Sequence, residues 1–472
     1  MHLPDAQVSR ISDHTATLPP EVLLTILKIV LILNCDVKQK LTIGAVCSRW
    51  RNILWSSPPF WSTFTDYFGR YDRKVDRLRL LELHIVNSRD CPMMFSISDA
   101  SGPGTPVHDA LFQRIFSDCQ ARIQRLRLTG LTPTWEAIVD HSRSSTFPQL
   151  EYLSLSCGMF DESTDVSPWF SKLPSLCELT LYIPRFDPNV IHSLDKITSL
   201  SLSGIHCDYA FYFLSLCQNL VEFRAIEIEI ADDLPGIVPS PPLNKDVVLP
   251  HLTHFSWDLT RGPPGDMIED TIFTENTACI RHIHLPSIRD LSWSWYFYLD
   301  PTDTWHIWQG FFKNISGLTK VEITTWAPNI IPELVQLFSY QPIQDLNVTI
   351  SRLEDLESCV RVLTCRPGYR PIAYTSIQIL KLSFLTRDGI PEGNNAALLD
   401  LIIEMLQLRR PPAVASECTI LQYFDFVRVF SYMDLSKVCG IGEKLRALKA
   451  LHDGGLEFEG WDKLLGITSQ SR

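Results

Sequence analysis

Three histidines, His254, His282 and His284, are the side chains of this chain whose type and spacing best suit chemistry. His254 and His282 hold equivalent places in a recurring strand pattern, and parallel pairing would set such residues about 4.8 Å apart. Two imidazoles at that distance could share a metal ion, or resist joint protonation and make binding sensitive to pH between about 6 and 7. Ordinary solvent-facing histidines are the competing reading. A second constellation is aromatic: Trp293, Trp295, Tyr296, Phe297, Tyr298, Trp305, Trp308, Phe311 and Phe312. It is either an enlarged local core or an exposed patch of the residue type that dominates binding hot spots.

Motif chemistry is otherwise missing. The sequence has no H-E-x-x-H, no G-x-x-x-x-G-K-[ST] and no G-x-S-x-G, and Gly440-x-Gly442 lacks both a third glycine and a preceding strand. The 13 cysteines are odd in number and show no C-x-x-C spacing, which favours free thiols in a reducing compartment over disulfides or a zinc site. No enzyme class is supported, and neither a cofactor nor a metal is expected.

The elements that would position these residues form a repeat. Apolar-x-x-apolar-x-apolar recurs at Ile123/Leu126/Leu128, Leu150/Leu153/Leu155, Leu176/Leu179/Leu181 and Ile197/Leu200/Leu202. It continues at Leu220/Phe223/Ala225, with a lapse at the alanine, then at Leu252/Phe255/Trp257 and Ile280/Ile283/Leu285. Leu318/Val321/Ile323, Ile343/Leu346/Val348 and Ile377/Leu380/Leu382 complete the series. Weaker matches lie at Leu78/Leu81/Leu83, within a strand-like run near Val75 to Val86, and at Leu421/Phe424/Phe426. Most steps fall in or near the roughly 20–29 residues of leucine-rich repeats. Helical stretches separate the strands, as at Tyr209 to Cys217, Leu353 to Leu363 and Ala396 to Leu408. A last helix and strand, Leu445 to Glu459, would cap the terminal core.

Strand side chains alternate, so the two positions flanking the central apolar residue face outward together. One column would then carry Glu222, His254, His282 and Lys320, and the other Arg224, His284 and Glu322. These seven are the candidate target-binding residues on the concave face of a repeat arc. The same alternation sets Ser154, Thr180 and Ser201 outward and their leucine neighbours inward.

Upstream lies a different pattern. Leu18-Pro19-x-Glu21-Val22-x-x-x-Ile26-Leu27 opens a helix whose prolines sit in the first turn. Apolar residues surround most of it, more than a small domain needs for its own core. The run is too short for the roughly 20 apolar residues of a membrane span, and no basic segment leads into it as in a signal sequence. Helices near Lys38 to Gly44 and Cys47 to Leu54 would complete a three-helix unit. The opening motif, the Val46-Cys47-x-x-Trp50 core and Trp61 after a proline pair together resemble the F-box. That module docks on the Skp-type adaptor of a cullin-RING ubiquitin ligase. The link Leu31 to Asp36 is longer and more apolar than the short polar one usual in that family.

The resemblance implies an adaptor-binding set of Leu18, Pro19, Val22, Leu23, Ile26, Leu27, Val46, Cys47, Trp50 and Trp61, divided between bundle core and docking surface. Strand followed by helix resembles the helix-bearing class of leucine-rich repeats. The implied fold is an α+β solenoid: a loose N-terminus at 1–16, an F-box-like domain at 17–62, a connecting segment and first repeat at 63–120, and repeats at 121–465. The implied role is the substrate receptor of an SCF-type ubiquitin ligase, with cullin reached through the adaptor and an unidentified target protein held by the arc. A leucine-rich-repeat interaction scaffold without a ubiquitin role is the alternative.

Composition agrees with an ordered chain: 45% hydrophobic residues, a mean hydropathy of +0.03 and a formal charge of −12. The first 62 residues carry more basic than acidic side chains, so the negative excess lies beyond them. Such a surface repels phosphate backbones and argues against nucleic acid. No membrane partner is expected, and the expected location is the cytoplasm or the nucleus.

Overall fold

A computed structural model describes residues 17–32, 37–68, 77–99, 106–130, 146–157, 173–182, 194–205, 207–227, 246–259, 278–295, 309–325, 330–364, 376–384, 394–409, 421–426, 429 and 438–459. It divides into two compact units, residues 1–180 and 181–472. Fourteen strands follow the main parallel pattern.

The first unit opens with three helices, α1 (Pro20–Ile32), α2 (Val37–Val46) and α3 (Ser48–Ser56). Pro20 takes the first helical position, where its missing N–H costs nothing, and the Leu23 amide donates to the Pro19 carbonyl at 3.1 Å. Leu23, Leu27, Ile43, Leu54, Phe60 and Trp61 form the buried core of this module, with Trp50 packed partly against it. Arg49 donates to the Leu18 carbonyl, tying α3 to the start of α1.

Strands β1 (Thr63–Phe68), β2 (Met93–Asp99), β3 (Ile123–Gly130) and β4 (Tyr152–Cys157) follow, each parallel to the next. Their register brings Phe64, Phe95, Leu126 and Leu153 into one buried line. β1 pairs only with β2 among the described residues, and the Ser62 carbonyl just before it accepts from the Met94 amide of that partner at 2.8 Å. The Thr63 carbonyl therefore points the other way, and Lys40 Nζ of α2 meets it at 3.0 Å. Lys40 is itself buried, 5.8 Å from the centre of the Trp61 ring. Trp61 stacks on Trp55 at 4.2 Å and donates through Nε1 to the Leu54 carbonyl. Its own carbonyl accepts from His84 Nδ1 at 2.9 Å. Burial first, and the Lys40 charge second, lower the His84 pKa to about 3, so this imidazole is neutral and a donor. Lys40, Trp61 and His84 thus pack the helices against the first strand.

Two segments of this unit depart from the sequence reading. Arg77–Ser88 is a helix, α4, not a strand: Leu81, His84 and Ser88 are buried at helical spacing, and the strand is β1 just upstream. Pro106–Asp118 is a further helix, α5, burying Leu111, Phe112, Ile115 and Phe116, where the sequence reading named none.

Strand β5 (Glu178–Tyr182) straddles the boundary of the two units. The second unit holds β6 (Ser199–Ser203), β7 (Glu222–Ile226), β9 (His254–Leu259), β11 (Asp290–Trp295), β12 (Lys320–Thr325), β13 (Asp345–Ile350), β14 (Ile379–Phe384), β15 (Tyr423–Asp425) and β16 (Glu457–Phe458). Neighbours in this order pair in parallel. Leu200, Phe223, Phe255, Leu291, Val321, Leu346, Leu380 and Phe424 align in register, all buried. A second line runs through Leu202, Ala225, Trp257, Trp293, Ile323, Val348 and Leu382. The lapse at Ala225 has a packing reason: large Trp257 is its register neighbour and reaches the Phe223 ring at 6.0 Å.

Helices α6 (Cys207–Leu216), α7 (Ile330–Leu337), α8 (Leu353–Leu363), α9 (Asn395–Leu408) and α10 (Ile441–Asp453) alternate with these strands. The last four pack in succession, α7 on α8, α8 on α9 and α9 on α10. Arg409 is buried and donates from Nε and Nη2 to the Leu363 carbonyl, capping α8. After α10, Gly455 turns at φ +92°, a conformation that favours glycine, and leads into β16. Among the described residues no helix is long and apolar enough to cross a membrane.

The Ile280/Ile283/Leu285 match is not a rung of the main sheet. Ile283–His284 is a short strand, β10, paired with Val247–Val248, β8, in a separate ladder. Pro286 follows at once and cannot donate to a continuing ladder. The rung beside β9 is β11, where Ile288/Leu291/Trp293 satisfies the same template.

Inward and outward positions should respond differently to truncation. Leu202→Ala or Leu346→Ala, both 0% exposed, is expected to cost about 2–5 kcal/mol in urea unfolding. Ser201→Ala, on the outward side, should cost under about 0.5 kcal/mol. Equal losses at the two classes of site would refute the register.

Candidate binding surfaces

Two surfaces differ sharply in chemistry. The first lies on α1 and α2 of the first unit. Val22, Ile26, Ile29 and Val30 recur at helical spacing and are all exposed, Ile29 at 59%. Leu41 and Val46 of α2 are exposed as well, Val46 at 61%. Leu23 and Leu27 point the other way, into the module core. Of the residues named from the sequence for adaptor contact, Pro19, Val22, Ile26 and Val46 are therefore on the surface. Leu18, Cys47 and Trp50 are half-buried. Leu23, Leu27 and Trp61 are fully buried and hold the module together; Trp61 offers no surface to a partner.

The second surface is the polar side of the sheet. In the first unit it carries Arg125, which stacks over the Tyr152 ring at 5.0 Å and bridges to Glu178 at 3.2 Å. Ser154 faces this side in register with Arg127 but is buried at 5%, a small side chain among longer ones. In the second unit, Glu222, His254, Asp290, Lys320 and Asp345 stand in one register line, and Arg224, Ser256, Ser292, Glu322, Asn347, Lys381 and Asp425 in the next. Glu222, Arg224, His254, Lys320 and Glu322 are thus brought to one face, as alternation requires.

His282 and His284 are not on it. They precede β11 beside the short β8–β10 ladder, and both approach Asp246, at 3.0 and 3.6 Å. Arg281 Nε donates to His282 Nε2 at 3.1 Å, so His282 Nδ1 carries the proton that Asp246 accepts. That bond holds the Asp246 carboxyl below its ordinary range. The register neighbour of His254 is Asp290, not His282. His254 Nε2 donates to the Asp290 carboxylate at 2.9 Å, and its Nδ1 lies 2.8 Å from the Thr253 hydroxyl. A pair this exposed contributes about 0–1 kcal/mol, so it orients the imidazole more than it stabilises the fold. The shared-metal reading of His254 and His282 falls with the register. Among the described residues no group of three or more His, Cys, Asp and Glu side chains could hold a metal ion.

The aromatic constellation resolves in part. Trp293 is buried and stacks on Trp257 at 6.4 Å, and Phe311 and Phe312 are buried against it. These three are core. The Trp295 side chain and Tyr296 to Trp308 lie outside the described residues.

Asp258 is a residue the sequence did not single out. It follows Trp257 on the polar side, two places beyond Ser256, with Ser294 as its register neighbour. Its Oδ1 is buried without a hydrogen-bond partner among the described residues. Burial, aided by the Glu227 charge, pushes its pKa up from 3.8 to about 6.

Comparison with protein-family models and with curated proteins finds no match to this chain.

Because the folded pKa of Asp258 exceeds its ordinary value, ionising it opposes folding. Its contribution is full below pH 3.8 and is lost as pH rises to about 6. Asp258→Asn should therefore flatten the stability-versus-pH curve between those limits and exceed the parent in stability at neutral pH. Urea unfolding of both proteins across that range checks this. Parallel curves would contradict it.

Proposed function

We propose that this chain is a substrate receptor of an SCF-type ubiquitin ligase, its N-terminal helices seating a Skp-type adaptor and its repeat sheet holding a target protein. The observation that carries the reading is the exposed stripe Val22, Ile26, Ile29 and Val30, continued by Leu41 and Val46. Six exposed large apolar side chains within 25 positions leave a patch of the kind that marks a protein interface. Removing that apolar surface from water favours association, against the freedom lost on binding. The stripe coincides with the segment that resembles the F-box, and the core residues Leu23, Leu27 and Trp61 supply the rigid body beneath it.

Cullin reaches the complex through the adaptor, and the chain itself supplies no catalytic group in this scheme. It acts by proximity: one face fixes the ligase, the other the target. Adaptor binding without cullin would leave a repeat scaffold that uses the adaptor for assembly.

Val22→Glu with Ile29→Glu alters two exposed positions and spares the core. Capture of purified Skp-type adaptor by the full chain should fall at least about tenfold, with urea unfolding unchanged. Full-strength capture by the double variant would remove the helix stripe as the docking face.

A further inference from the structure

The polar side of the second unit carries an excess of negative charge, concentrated at its last strands. Across β14 to β16, Asp425 is the register neighbour of Lys381 and Glu457 that of Tyr423, with Glu459 just beyond. Between them lies a cavity of about 380 Å³ lined by Ile379, Lys381, Gln422, Tyr423, Gly455 and Glu457. Its volume is near the lower end of the roughly 300–1,000 Å³ of ligand sites, room for one long side chain.

The walls have a definite chemistry. Tyr423 presents its ring to the cavity and fixes it by donating its hydroxyl to Glu459. Lys381 Nζ already stands 5.8 Å from the ring centre, within the range of a cation–π contact. The chain thus shows in its own fold that this ring accepts a cation. Glu457 has no cation paired with it among the described residues, and Ile379 gives an apolar wall for an aliphatic stem. Burial, the Glu459 bond and the charges of Glu459, Asp425 and Glu457 all push the Tyr423 phenol above its usual range, which marks a negative field. An anion entering here would meet the Glu457 carboxylate in the wall and the charges of Asp425 and Glu459 around Tyr423, against one ammonium.

We propose that this cavity anchors an arginine or lysine side chain from a basic segment of the target protein. The stem lies on Ile379, the cationic head faces Tyr423 and Glu457, and the segment continues toward Asp345, the register neighbour of Ile379. Lys381 is a built-in competitor for the same ring, so it tempers affinity. The inference rests on the reading that this face holds the target.

The test uses the full chain and two fluorescein-labelled peptides, one alternating arginine and serine, the other its glutamate counterpart, followed by anisotropy. The arginine peptide should bind, more weakly as salt rises, and the glutamate peptide should not. Glu457→Gln should weaken arginine-peptide binding about tenfold. Lys381→Met should tighten it severalfold, a gain that misfolding cannot produce. Stronger binding of the glutamate peptide, weaker arginine-peptide binding by Lys381→Met, unchanged affinity in both variants, or no binding of either peptide would each overturn the proposal. Adaptor capture by the same preparations reports separately: its loss with peptide binding intact removes the ligase reading alone.

Discussion

The structure depends on one constraint, the in-register alternation of side chains along parallel strands. Each rung sends two apolar residues to the same depth and two polar ones to the opposite side. A single rung cannot bury its apolar pair, so stability comes from stacking on neighbours. Phe223, Phe255, Leu291 and Val321 illustrate this: each is 1–2% exposed only because the next rung covers it. The polar residues between them carry no share of that burial and are free to suit a partner.

Stacked rungs leave ends, and an open strand edge invites unwanted pairing. In the first unit, the carbonyl of β1 that turns away from β2 is taken by Lys40, which also lies over Trp61. Burying an ammonium is costly unless it finds partners, so Lys40 commits the helical module to a fixed place on the first strand. In the second unit, α10 and the short strand β16 follow the last rungs, and the turn at Gly455 sets the wall of the cavity proposed to take a basic side chain.

Much of this is legible in residue order, because a strand rung needs only three apolar positions at fixed spacing. The template finds β3 to β7, β9 and β12 to β14 without the structure. It misplaces a rung where two matches follow closely, since Ile280/Ile283/Leu285 and Ile288/Leu291/Trp293 both satisfy it and only Pro286 and Ser287 separate them. It mistakes α4 for a strand because Leu78, Leu80, Leu81 and Leu83 fit both periods. The helix stripe of α1 was legible as an excess of apolar residues, and its split into a buried Leu23/Leu27 line and an exposed Val22/Ile26 line required the packing. The pairing of His254 with Asp290 and the cavity at Tyr423 were not legible, since each joins residues brought together only by register.

In the proposed function, docking falls to the helix stripe and target reading to the sheet, two surfaces of opposite character on one chain. Hydrogen–deuterium exchange of the full chain, with and without purified Skp-type adaptor, tests that division directly. Slower exchange in α1 and α2 is expected on adding the adaptor, with the amides of β12 to β14 unchanged. Protection that arises in the strands while α1 and α2 exchange as before would contradict it.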